Sequence, residues 1–236
     1  SFDRPYGQYT QIFEHPLSIG SGEFLLWEFP LAYWLEQHGY DVTYGSNLDT
    51  CRENFVQRCR SFISVGHDEY WDQTQYRAIE SAMNAGTNLL WFCGNSVFID
   101  SPFAPSSTGQ DGRVISRQGC FGELRVDEME SYSALFAGLK ATGPDERRIM
   151  GVRSVVPFNG GGDWTCVNPE HWLFKDTGMK NGDSIPGLVG WEHHGESDPN
   201  QTGLEVLAAG PIWSGGTREG RYEAVIFAGP KDNLIF

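Results

Sequence analysis

The chain has 236 residues, 39% of them hydrophobic and 14% aromatic, with a formal net charge of −14 at pH 7. That is enough apolar material for one large domain with a sizeable core, and it excludes a disordered chain. The acidic balance argues against a nucleic-acid or anionic-membrane partner, because such surfaces are held by Lys and Arg. The longest apolar run, "FLLWEFPLAYWL", is broken by Glu28 and Pro30, and it falls short of the roughly 20 residues of a bilayer span. The opening "SFDRPYG" reads as the end of a strand, so a fragment of a longer polypeptide is expected. The cysteines, 51, 59, 93, 120 and 166, form no CxxC or CxxH pair. Free thiols and a reducing, cytoplasmic setting are the expectation, with Cys51–Cys59 the one pairing considered.

In chain order, residues 23–38 place Leu31, Trp34 and Leu35 at i, i+3, i+4 and stop at Gly39, the pattern of an amphipathic helix that Pro30 starts or kinks. "YDVTYG" (40–45) reads as a short strand, followed by the turn "SNLD". "SFISV" (61–65) is a strand without alternation, as expected when both faces are covered. Asp72 and Gln75 have capping-box spacing, Tyr76, Ile79 and Met83 share one face, and Gly86 closes that helix. "NLLWF" (88–92) is the next strand and breaks at "CGN", residues 93–95. Strand–helix–strand alternation of this kind predicts an α/β fold, a parallel sheet with helices on both faces. Ligands bind such sheets at the carboxyl ends of the strands. Residues 101–200 read as loop-rich, irregular insertions, apart from one helix near 128–139. Segments 204–210 and 222–229, within 201–236, read as closing strands that rejoin the sheet. The whole, 1–236, is read as a single α/β domain.

Strand ends are therefore where side chains with chemistry matter. In "FISVGHDEYWD" (62–72), His67 and Glu69 stand at i and i+2 and project to one side of an extended loop. They can serve one site, as base or as metal donors. The competing reading is a solvated loop whose carboxylates steady the next helix, a task that Asp72 already fills. Asn95 either turns its amide into the site or is a turn residue that tolerates positive φ. Tyr6, Tyr9 and Tyr44 lie near strand ends, where phenols serve packing more often than ligation. Cys93 with His194 and Glu196 has the residue types of a thiol hydrolase, though Phe92 fits poorly before a sharp nucleophile turn. The pair His193 and His194, with Glu192 and Glu196, reads as an exposed loop, since adjacent residues of a strand face opposite ways.

The motifs "SFDRPYG", "GEFLLWEFPLAYWLEQHGYDVTYGSNLD", "ISVGHDEYW" and "GTNLLWFCGN" occur in order across residues 1–100, and there the chain resembles the carboxy-terminal domain of the dimethylformamidase large subunit. The resemblance implies a flavodoxin-like core of the class I glutamine-amidotransferase type. It also implies a mononuclear iron (Fe3+) held by two tyrosinates and a carboxylate, hydrolysis of a small amide, and contacts with other domains or subunits. Carried onto this sequence, it makes Glu69 the carboxylate ligand, Tyr6 and Tyr44 the tyrosinates, His67 a base or hydrogen-bond partner, and Asn95 a substrate-orienting group. Two alternatives stand beside the amidase: a non-catalytic binding or assembly domain with an exposed aromatic patch, and the Cys93–His194–Glu196 thiol hydrolase.

Overall fold

The computed structural model of the chain describes residues 22–52, 54–123, 139–154, 160–190 and 193–236. Two helices stand where one was expected, α1 (Gly22–Trp27) and α2 (Phe29–Gln37), with Pro30 in the first turn of α2. Proline has no N–H to give the helix and suits only a first turn, so the break falls at Glu28. The expected strand at 40–45 does not form. All of its residues but Val42 are exposed, and β-branched composition makes no strand without a face to bury. The chain turns instead into the single-turn α3 (Asn47–Thr50), opened by a reciprocal cap between Ser46 and Asp49.

β1 (Ser61–His67) leads through the two-residue β2 (Tyr70–Trp71) into α4 (Gln73–Ala85) and returns as β3 (Asn88–Gly94). β1 and β3 pair in parallel, from Ser61↔Asn88 to His67↔Gly94. Asp72 Oδ1 accepts from the Thr74 N–H at 2.6 Å at the start of α4, and Gly86 ends it in the left-handed region. Tyr76, Ile79 and Met83 are buried as one face, which carries α4 across the sheet.

Short strands follow: β4 (Ile99–Asp100), β5 (Phe103–Ala104), β6 (Val114–Ile115), β7 (Gly119–Phe121) and β8 (Ala141–Gly143). After α5 (Arg147–Met150) come β9 (Val152–Ser154), β10 (Gly162–Thr165), β11 (Ser184–Val189) and β12 (His194–Ser197). The chain closes with β13 (Glu205–Ser214), β14 (Thr217–Ala228) and β15 (Leu234–Ile235). The main sheet has the order β1-β3-β15-β14-β13; a second has β2-β4-β7-β8, and the other strands pair two by two. The main core gathers residues of β2, α4, β3 and β14, among them Trp71, Tyr76, Leu89 and Phe227.

The expected flavodoxin-like, glutamine-amidotransferase-like sheet is therefore corrected. The described residues hold more strand than helix, fifteen strands in several small sheets, and among them no parallel sheet is covered by helices on both faces. The reason is connectivity. Each added parallel strand needs a crossover of a dozen or more residues, and residues 68–87 supply one between β1 and β3. β13 and β14 are instead joined at Gly215-Gly216, both with positive φ, into an antiparallel hairpin. β14 then pairs antiparallel with β15, which runs parallel to β3 on the side away from β1. The expected helix near 128–139 lies, but for its last residue, outside the described residues. All five cysteines are free. No helix among the described residues is long and apolar enough to cross a membrane.

Candidate active site

His67 is the last residue of β1, and Gly66 before it has φ +81. A Cβ at Gly66 would lie 2.9 Å from both Glu28 Oε1 and Trp27 Cβ, so the α1–α2 junction sits directly on this strand end. His67 Nε2 and Glu69 Oε2 are 3.3 Å apart, and both side chains are largely withdrawn from solvent, at 18% and 13% exposure. Asp68, between them, turns inward and accepts from Ser64 Oγ at 2.6 Å. Burial raises its carboxyl pKa above the usual range. The i, i+2 relation of His67 and Glu69 thus brings the two together as the sequence suggested.

The end of β3 forms the neighbouring wall. Asn95 has φ +55 and Val97 has φ +55. A β-branched residue in the left-handed region costs on the order of 1–3 kcal/mol, and such strain clusters at functional turns. Asn95 is buried, and its Oδ1 has no hydrogen-bond partner. The turn conformation expected of Asn95 is present, whereas Asn95 is not among the described residues that line the cleft below. Cys93 lies one residue before the end of β3, 3.6 Å from Ser64 Oγ. Burial pushes its thiol up to about 12, far from a thiolate at neutral pH.

The strand ends open into a cleft of about 390 Å³. It is lined by His67, Cys93 and Gly94 from the ends of β1 and β3, by Trp27, Trp91 and Trp164, and by His193, His194 and Glu223 from the β12 and β14 side. The expectation that His193 and His194 lie in an exposed loop is corrected, for both are buried, at 3% and 9% exposure. β12 pairs with β9 and Ser197 at its end donates its N–H to Glu223 of β14 at 3.0 Å, so this polar segment is enclosed. His194 Nε2 accepts from the Ser96 N–H at 3.0 Å, and burial lowers its pKa to about 4. Its lone pair holds the loop after β3 and is not turned to Cys93. The Glu196 side chain lies outside the described residues. Burial also lowers His193 to about 4, and neither of its ring nitrogens has a hydrogen-bond partner.

A family model described as N,N-dimethylformamidase beta subunit-like, C-terminal, matches residues 1–236. The chain belongs to this family. A comparison with curated proteins gave no match. Membership in the dimethylformamidase beta subunit-like family extends the resemblance seen in residues 1–100 to the full chain, while the sheet arrangement departs from the one that resemblance implied. Of the ligands it implied, Glu69 stands beside His67, and Tyr6 lies outside the described residues. Tyr44 is at the surface and donates its hydroxyl to Glu36 Oε1 at 2.6 Å. That hydrogen bond, before any other cause, raises the phenol above its usual pKa, the reverse of what a tyrosinate needs. The phenol that does feel Glu69 is Tyr70, to which the sequence alone assigned no role. Burial raises it, the Glu69 charge adds to this, and Arg117 Nη2 donates to its hydroxyl at 3.2 Å. Among the described residues no three His, Cys, Asp or Glu side chains converge on a point that could hold a metal ion. The described part of the implied donor set is thus one carboxylate with its imidazole partner, which does not by itself make an iron site.

Proposed function

We propose that the chain carries the active site of an amide hydrolase, with the His67–Glu69 pair at the end of β1 as its working groups. The observation that carries this reading is that pair, 3.3 Å apart, with His67 lining the cleft, in a chain whose family is described as N,N-dimethylformamidase beta subunit-like. Hydrolysis of an amide needs a group that takes a proton from water and a group that steadies the resulting charge. His67 is placed to accept the proton, and Glu69 offsets the imidazolium that forms, as a carboxylate does beside a catalytic histidine. An iron ion would be held by Glu69 and Tyr6, while Tyr44 is committed at the surface to Glu36.

The test is release of dimethylamine from N,N-dimethylformamide by the intact protein and by His67→Gln and Glu69→Gln. Loss of about 10²-fold or more in kcat from each, with unchanged unfolding, supports the pair. Activity unaffected by either substitution removes it. Iron analysis alongside, with about one ion per chain lost in Glu69→Ala, is the outcome that supports an iron centre.

A second role is favoured by a specific surface. Phe29, Tyr33 and Trp34 on α2 are all exposed, with Tyr40 beside them, and no residue of α2 is buried. An exposed aromatic face of this kind suits contact with another subunit or domain, in keeping with a family described as beta subunit-like. Weaker assembly of Tyr33→Ser/Trp34→Ser, measured by sedimentation velocity, supports that role, and unchanged assembly counts against it.

A further inference from the structure

One imidazole of the cleft wall has its proton placed by the backbone. His194 lines the cleft, and its Nε2 accepts from the Ser96 N–H at 3.0 Å. A backbone N–H can only donate, so Nε2 must present a lone pair. Burial keeps the ring uncharged at neutral pH, with its pKa lowered to about 4, and a neutral imidazole carries a single ring hydrogen. That hydrogen is therefore on Nδ1. Moving it to Nε2 would set two N–H groups against each other and leave a buried donor unpaired, which disfavours that tautomer roughly fivefold to a hundredfold.

The surroundings hold this arrangement in place. The Ser96 carbonyl accepts from Ser154 Oγ at 3.2 Å, so the backbone of Ser96 is fixed at both its N–H and its C=O. Ser154 of β9 in turn stands opposite His194 of β12. Asn95 and Val97, on either side of Ser96, both take positive φ, and strain of this kind persists where a particular conformation is required. Here the strained turn aims the Ser96 N–H at His194. Nδ1, by contrast, makes no hydrogen bond among the described residues, and it is not one of the sealed, unpartnered atoms that include both ring nitrogens of His193. The residue keeps 9% of its surface open. A donor of fixed direction thus stands in the wall of a cleft that His67 also lines, among the apolar side chains of Trp27, Trp91, Trp164 and Phe236.

We infer that His194 is a substrate-binding residue whose Nδ1–H donates to the carbonyl oxygen of an amide held in the cleft. That the acceptor is an amide carbonyl rests on the function proposed above; the fixed donor rests on the Ser96 contact alone. The two histidines then divide the work. His67 takes the proton of the attacking water, while His194 orients the carbonyl and steadies the charge that gathers on its oxygen as the water adds. A neutral ring suits this task, since it gives a hydrogen bond without a charge that burial would oppose.

The experiment is NMR of the ring 15N–1H groups of the intact protein with N-methylpyrrolidone, a lactam with a carbonyl acceptor, and with N-methylpyrrole, a ring of the same size without one. Wild type, His194→Phe and His67→Gln are compared. Expected in wild type at neutral pH are a hydrogen on Nδ1 of His194, a downfield shift of that hydrogen as the lactam binds, and no shift with the pyrrole. His194→Phe should bind the lactam about three- to tenfold more weakly, the size of one net hydrogen bond, and the pyrrole no more weakly than wild type does. If His194→Phe fails to fold, the tautomer and the shift in wild type decide the matter. A hydrogen on Nε2, a lactam that does not bind, an Nδ1–H unmoved by saturating lactam, or equal lactam affinity in wild type and folded His194→Phe would each overturn the inference. His67→Gln should bind the lactam as wild type does. Full amide turnover in His67→Gln would sink the hydrolase reading and leave the His194 donor standing.

Discussion

Gly66→Ala is the substitution that most sharply tests how the site is enclosed. Gly66 has φ +81, and an added Cβ would stand 2.9 Å from Glu28 Oε1 and from Trp27 Cβ. Two costs follow. A Cβ in the left-handed region costs about 1–2 kcal/mol, and forcing a methyl into a filled space typically costs about 1–3 kcal/mol more. Gly178 separates them, because it has φ +76 with nothing within 4 Å of where a methyl would stand, so Gly178→Ala carries the backbone cost alone. The expected result in urea unfolding is a loss of about 1 kcal/mol for Gly178→Ala and about 3 kcal/mol for Gly66→Ala, a further drop in midpoint of roughly 1 M at a slope near 2 kcal/mol/M. Since Trp27 lines the cleft, amide turnover should fall in Gly66→Ala and hold in Gly178→Ala. Equal destabilisation by the two substitutions would refute the packing of α1–α2 on the end of β1.

Three other outcomes are expected. Glu146 is buried, and burial raises its carboxyl to about 8 from 4.5. Its contribution to stability is therefore fully present below pH 4.5 and is lost as pH rises through about 8, by up to about 1.4 kcal/mol per pH unit and on the order of 5 kcal/mol in all. Glu146→Gln should flatten that slope in urea melts between these limits, and an unchanged slope would contradict the burial of the group. Cys93 should react with iodoacetamide at neutral pH far more slowly than a free thiol, and Cys93→Ser should keep amide turnover within a few-fold; fast alkylation with loss of turnover would revive the thiol hydrolase. Asn233 Nδ2 donates to Met83 O at 3.1 Å and Thr87 O at 2.7 Å, which ties β15 to the end of α4. Asn233→Ala leaves Thr87 O without its donor, while Met83 O keeps the Gly86 N–H, and should cost about 1–3 kcal/mol; a loss under about 0.5 kcal/mol would mean that this tie is not made.

The β1–α4–β3 unit was legible because its signals agree: an unbroken apolar strand, Asp72 as cap, one buried helix face, and Gly86 as stop. His67 and Glu69 were legible for the same reason, since a strand that ends at a glycine fixes where the next side chains point. The sheet as a whole was not. Extending one crossover to a full parallel sheet passed over "SGGT" at 214–217, a hairpin signal between two apolar runs, and β15, at two residues, is too short to carry a periodicity. The 40–45 strand failed on exposure, which composition does not report. His193 was missed because "EHHGES" is polar throughout, and its burial comes from β9 and β14, which are distant in sequence. Tyr44 was placed in the site by that absent strand; once the strand is gone, its hydroxyl goes to Glu36.

The most direct test of the central claim is a double-mutant cycle on amide turnover, with His67→Gln, Glu69→Gln and the combined variant. If the two side chains, 3.3 Å apart, work as one unit, each single substitution removes most of kcat and the double variant loses little more than either. Losses that simply multiply, or singles that retain wild-type kcat, would contradict the account.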